Sequence, residues 1–156
     1  MTTSLLMPNT GPDSVSKSES TGEATVHVAV GVVVNRERQV LIARRHQNQH
    51  QGGLWEFPGG KVGAGETVQD ALKRELLEEV NLTVRECARL LSIPHDYGDK
   101  KVLLDVWIVN IFSGEATGRE GQPVIWASIS ELDDYDFPVA NRAIISALKN
   151  LLHPAP

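Results

Sequence analysis

The feature that most constrains this chain is a helical run whose charges stand where an isolated helix would resist them. From Thr67 onward, Val68, Ala71, Leu72, Leu76 and Val80 recur at helical spacing and predict an amphipathic helix with one buried stripe. Thr67 and Asp70 give it a Thr-x-x-Asp start, a capping box. Toward its end Glu75, Glu78 and Glu79 sit at i, i+3 and i+4, on one face. Like charges at that spacing destabilise a helix by a few tenths of a kcal/mol per pair. Two carboxylates about 6 Å apart repel by about 3 kcal/mol at an effective dielectric near 20. A solvated acidic surface is one resolution. A hard divalent cation is the other, since Mg²⁺ and Mn²⁺ prefer oxygen ligands and would also attract phosphate.

The bulk properties leave room for that chemistry. The chain has 156 residues, enough for one domain with a real core. Its net charge of -5 argues against direct nucleic-acid binding, which calls for a basic stripe. A small phosphorylated substrate is compatible, because a bound metal reverses the local sign. Cys87 is the only cysteine, so no intramolecular disulfide can form, and a reducing cytoplasm is expected. The N-terminus lacks the basic start and apolar stretch of a secretory signal, and no segment is long and apolar enough to span a membrane. Residues 1–23 are rich in Ser, Thr, Pro, Gly and charge, and are expected to be a disordered tail. The domain is expected over residues 24–153, with 154–156 a short C-terminal tail.

Along that domain, "TVHVAVGVVV" and "QVLIARR" are β-rich and separated by "NRER", which predicts a hairpin with a four-residue connection. "LWEF" reads as a short strand stopped by Pro58-Gly59-Gly60. "KVLLDVWIVNIF", Lys101 to Phe112, is expected to be the longest strand, and "PVIWASI" another. A last helix is expected from about Pro138, with Ile144, Ile145, Leu148, Leu151 and Leu152 as its inner face. This pattern predicts an α/β sandwich, a mixed β-sheet between helical layers.

Gly60, five residues, Glu66, seven residues, then Arg74-Glu75-Leu76-Leu77-Glu78-Glu79-Val80-Asn81-Leu82 resembles the Nudix box, and the likeness extends over essentially the whole domain. The resemblance implies an α/β/α sandwich and Mg²⁺-dependent (possible also with Mn²⁺) hydrolysis of a nucleoside diphosphate linked to a further group. By position it implies that Glu75 and Glu79 are principal metal ligands, with Glu78 a ligand or a water-mediated partner. The Gly59 carbonyl would add an oxygen, Arg74 would orient Glu75, and Glu66 would brace the loop onto the helix. Asn81 stands where the family has Gly. That position needs a left-handed cap, which Asn tolerates next best. Leu77 and Leu82 would make the cap's apolar contact, and Asn81→Gly is expected to be neutral or slightly stabilising.

The flanking segments "LWEFPGGK", "EGQPVIW" and "DFPVAN" are similar to those of the family's MutT branch, which hydrolyses oxidised guanine nucleotides. This implies conversion of 8-oxo-dGTP to 8-oxo-dGMP and pyrophosphate, sanitising the nucleotide pool. It also implies that Glu120 is an extra metal ligand or water-activating base and that Asn141 reads the purine edge. An amide can do so because it offers both a donor and an acceptor, although a residue near a helix start is also a routine cap. Phe57 would offer backbone contacts to the base. Arg45 would meet the phosphate or base side; alternation sends Arg44 and Arg45 to opposite faces, so only one can serve. Lys100 occupies a place where the branch has Arg over the base, and a Lys cannot fork or stack in the same way.

Other residues are expected to be structural. His46 and His50 lie in a polar loop, Trp55, Trp107 and Trp126 suit core or pocket wall, and Cys87 suits an inert small residue. The chain is expected to be a monomer acting on a small nucleotide. Two alternatives stand beside this reading: hydrolysis of modified pyrimidine nucleotides, and a non-catalytic 8-oxoguanine-binding module. The second normally lacks the catalytic glutamates, which are all present here.

Overall fold

The computed structural model describes residues 24–47 and 52–152. The expected N-terminal tail, the middle of the polar loop with His50, and the domain's last residue His153 with the tail beyond it lie outside these residues. The strands are β1 (Thr25–Val33), β2 (Gln39–Arg44), β3 (Trp55–Glu56), β4 (Gly59–Lys61), β5 (Thr83–Asp96), β6 (Lys101–Ser113) and β7 (Val124–Ser128). The helices are α1 (Val68–Val80) and α2 (Arg142–Leu152), with 3₁₀ turns at Ile129–Asp134 and Val139–Asn141.

A four-stranded sheet runs in the order β4-β1-β6-β5, and a three-stranded sheet runs β3-β2-β7. The larger sheet is mixed: β1 and β6 are parallel, while β4 and β5 pair antiparallel to their neighbours. Alternation along β1 and β6 then sets up two cores. Val28, Val30, Val32, Leu104 and Val106 face Ile144, Ile145 and Leu148 of α2. Ala29, Val33, Trp107 and Val109 face Ala71, Leu72, Leu76 and Val80 of α1. The mixed sheet between helical layers is thus the observed architecture.

The expected hairpin of β1 with β2 does not form. Both edges of β1 are occupied, by β4 and β6, so β2 joins the other sheet, and only a single bridge, Val34 to Val40, links the two runs. The "LWEF" strand is cut to Trp55–Glu56, and the Gly59-Gly60 pair expected to stop it opens a strand of its own. Gly59 is required there: a Cβ would come within 2.0 Å of the Ala29 carbonyl oxygen across the β4–β1 pair. The longest strand is β5, not β6. It went unseen in the sequence because it is an edge strand with little clean alternation, broken by register shifts between Val84 and Glu86, Glu86 and Cys87, and Arg89 and Leu91. The last helix begins at Arg142 after a 3₁₀ turn, and Leu151 is 53% exposed rather than on the inner face.

Helix α1 starts as its sequence dictates, with the Asp70 amide donating to Thr67 Oγ1 at 3.1 Å. It ends at Asn81 in the left-handed conformation (φ 65°, ψ 31°). Leu82 is buried with Leu76 and Val80, but Leu77 is 47% exposed and takes no part in that cluster, so the expected Leu77–Leu82 contact is replaced by one inside the core. Among the described residues no helix is long and apolar enough to cross a membrane.

Candidate active site

Spacing within α1 turns Glu75 and Glu79 toward β4, and both are buried, at 4% and 6% exposure. Gly60 leaves open the space that the Glu75 carboxylate fills. The Gly59 amide donates to Glu79 Oε1 at 3.3 Å, and Arg74 Nη1 donates to Glu75 Oε2 at 2.9 Å. Arg74 is itself held from the other side. Its Nε and Nη2 donate to Glu66 Oε2 and Oε1 at 2.7 and 2.9 Å, and Nη2 also reaches the Lys61 carbonyl at 3.1 Å. Glu66 Oε1 accepts a further bond from the Gly63 amide at 2.7 Å. A chain of contacts therefore runs from the loop before α1, through Glu66 and Arg74, to Glu75.

Charge is distributed unevenly along that chain. The fork of Arg74 and the Gly63 amide pull the Glu66 carboxyl down to about 2. Burial acts oppositely on the helix. It pushes Glu75 up to about 7 despite the help of Arg74. Burial also raises Glu79 well above the usual carboxylate range, and the charges of Glu56 and Glu75 add to it. Among the described residues no donor reaches Glu75 Oε1 or Glu79 Oε2, though both are buried.

Glu56 was not singled out by sequence reasoning, yet it is buried on β3, ion-paired with Arg45 at 3.0 Å, and a leading source of the negative field at Glu79. The available signal was an acid between Trp55 and Phe57 in an otherwise apolar strand. Arg45 is buried while its neighbour Arg44 is exposed and bonds the Gly53 carbonyl, as strand alternation requires. Glu78 is less enclosed: its side chain is 48% exposed and lies 3.5 Å from Arg74. Glu120 stands on the exposed loop between β6 and β7, where its charge also acts on Glu79.

The other candidates fall into a second group. Asn141 closes the 3₁₀ turn before α2 and is fully buried, yet neither Oδ1 nor Nδ2 has a hydrogen-bond partner among the described residues. It is therefore not a helix cap. Leaving such groups unpaired costs about 1–3 kcal/mol each, which a ligand with a complementary edge would recover. The Phe57 ring is in the core, stacked on Phe137 with centroids 5.2 Å apart. Lys100 lies at the β5–β6 turn, where its carbonyl accepts from the Tyr97 amide, and Tyr97 is in the electrostatic reach of Arg45. His46 is exposed, Trp107 is buried, and the rings of Trp55 and Trp126 pack on Tyr135 and Phe112. Burial raises the Cys87 thiol, consistent with an unreactive residue. Grooves of about 300 and 340 Å³ lie elsewhere, around the β1–β2 turn and the end of β6, and contain none of these candidates.

The buried pair fits a cation. Its donor atoms are all oxygen, and two of them, Glu75 Oε1 and Glu79 Oε2, have no hydrogen-bond partner among the described residues. Among the described residues no three acidic, His or Cys side chains form a ready-made ligand cage, so Glu78 or Glu120 could complete one only by turning inward.

Fold and site together define a member of the NUDIX family: the model of the NUDIX domain matches residues 29–147, and the chain belongs to that family. Members generally use divalent metal ions. The chain is 38% identical over 126 residues to the 8-oxo-dGTP diphosphatase of Escherichia coli K12, covering 81% of this chain and 98% of that protein. It is 31% identical over 122 residues to the CTP pyrophosphohydrolase of the same organism, covering 78% and 90%. Among solved structures it is similar to one from a structure and function analysis of MutT from the fish pathogen Aliivibrio salmonicida and from Vibrio cholerae. The TM-score there is 0.73 at 36% identity, covering 80% of this chain and 97% of that one.

Proposed function

We propose that this chain is a cytoplasmic, monomeric 8-oxo-dGTP diphosphatase that hydrolyses 8-oxo-dGTP to 8-oxo-dGMP and pyrophosphate, and so keeps oxidised guanine out of DNA. The observation that carries the reading is a pair of unmet needs among the described residues: one donor-less oxygen on each buried carboxylate of α1, Glu75 Oε1 and Glu79 Oε2, and a fully buried amide without partners at Asn141. A triphosphate with its cation answers the first, and a purine edge the second.

Glu75 and Glu79 would hold Mg²⁺, with the Gly59 carbonyl and, on turning inward, Glu78. When bound, such an ion neutralises phosphate oxygens and lowers the pKa of water. Glu66 keeps Arg74 in place, and Arg74 in turn holds Glu75 Oε2, which fixes the carboxylate and leaves Oε1 available. Glu120 would take the proton from the attacking water on its carboxylate. Asn141 would present Nδ2 and Oδ1 to the base, and Phe57 its backbone. Arg45, its charge set against Glu56, and Lys100 would line the nucleotide's side.

Hydrolysis of pyrimidine nucleotides is the second reading, supported by the similarity to a CTP pyrophosphohydrolase. A turnover panel of 8-oxo-dGTP, dGTP, CTP and modified dCTP with Mg²⁺ separates the two. The proposal requires the highest kcat/KM for 8-oxo-dGTP, and a preference for either pyrimidine would replace it.

A further inference from the structure

The loop that carries Glu120 is seated on the last turn of α1. The Thr117 amide donates to the Val80 carbonyl at 3.0 Å, and the Arg119 amide to the Glu79 carbonyl at 2.9 Å. These are carbonyls that a helix end leaves without partners of its own. Two side-chain amides complete the joint. Gln122 Nε2 donates to the Glu79 carbonyl at 3.1 Å while Gln122 Oε1 accepts from the Glu120 amide at 2.9 Å. One carboxamide thus ties the backbone of Glu79 to that of Glu120. From the helix side, Asn81 Nδ2 donates to the Glu115 carbonyl at 3.3 Å, and Asn81 Oδ1 accepts from Arg119 Nη1 at 3.1 Å.

We infer that Asn81 and Gln122 are positioning residues: together they clamp the β6–β7 loop to the C-terminal end of α1 and fix Glu120 relative to Glu79. The inference rests on the reading of Glu120 as the group that takes the proton from water. An exposed loop containing Gly114, Gly118 and Gly121 has much backbone freedom to lose, and a proton acceptor must be held in place to be effective. Glycine at position 81 would supply the left-handed turn and neither side-chain bond. The neutral outcome expected for Asn81→Gly from the sequence left these two bonds out of account. The bond from Arg119 is charge-assisted, and it brings a cation to the negative end of the helix.

Amide hydrogen exchange and steady-state kinetics on the full chain test this, using Asn81→Gly and Gln122→Ala with and without Glu120→Gln. Exchange at Thr117 and Arg119 should quicken by about ten-fold in each variant, on the order of one lost hydrogen bond, while Leu72 and Leu76 stay protected. With Glu120 intact, kcat should fall by about ten-fold at nearly constant KM; with Glu120→Gln, the same substitutions should cost nothing further. Unchanged exchange would overturn the clamp. Equal losses of kcat in both backgrounds would overturn action through Glu120. A normal kcat for Glu120→Gln alone would remove Glu120 from the chemistry and the positioning role with it, even where exchange detected the clamp.

Discussion

Glu75 occupies the space where a side chain of residue 60 would stand: a Cβ on Gly60 would lie 2.3 Å from Glu75 Cδ. The carboxylate is thus placed by a missing atom as much as by Arg74. Gly60→Ala should leave a folded protein, destabilised by about 1–3 kcal/mol, and displace the Glu75 carboxylate. Its kcat should drop by about 100-fold or more, since a misplacement of about 1 Å is worth that much. Thermal melts with turnover assays check both, and wild-type kcat in a folded Gly60→Ala protein would show that Glu75 placement is not limiting.

Glu79→Gln keeps the shape of a buried side chain and removes its charge. Turnover should fall by orders of magnitude. Without cation the variant should be more stable than wild type at pH 8, because a buried, repelled carboxylate has been deleted. Opposite movement of kcat and melting temperature is the signature to look for.

Acidity and cation should work against each other on stability. Glu75 is raised in the folded state from 4.5 to about 7, so the folded chain binds more protons than the unfolded one in that window. Its contribution is present below about pH 4.5 and lost as pH rises through 7; Glu79 is raised for the same reason. Glu66 has the opposite sign: its folded value of about 2 gives stability that is present above 4.5 and lost as pH falls toward 2. In chelator, the melting temperature should decline between pH 5 and 8. Millimolar Mg²⁺ should raise it by several degrees at pH 8 and little at pH 5, where the ligands hold protons. A pH-independent metal shift would argue that the cation binds elsewhere.

Asn141→Ala should lower the preference for 8-oxo-dGTP over dGTP, since selectivity comes from pairing buried polar groups. A loss of about 1–3 kcal/mol in 8-oxo-dGTP binding is expected, with kcat at saturation largely retained. The free protein should be no less stable, because the native amide makes no bond to lose. An unchanged ratio of kcat/KM for the two nucleotides would exclude Asn141 as the reader.

What the sequence made legible follows from which signals are local. The 3.6-residue stripe of α1, the Thr67 start and the left-handed Asn81 are properties of a few adjacent residues, and each stands where expected. The split of β1 and β2 between sheets was hidden because it depends on β6 claiming an edge of β1 from far along the chain. Glu56 was hidden for a similar reason: one acid in a two-residue strand gains meaning only when Glu79 is brought beside it. The neighbours of Asn81 in the sequence signal only its backbone role, because its side-chain partners on the β6–β7 loop lie more than thirty positions away.

The parallel pair of β1 and β6 bears on how the molecule comes into being. Val30 lies opposite Val106, so every residue of the acidic helix sits inside the span of chain which that pairing closes. A chain that ends before β6 has β1 paired with β4 alone, and it lacks the Trp107 and Val109 side chains that α1 packs on. Complete packing of the acidic helix therefore waits on a strand pairing across more than seventy positions, the kind of non-local contact that forms slowly.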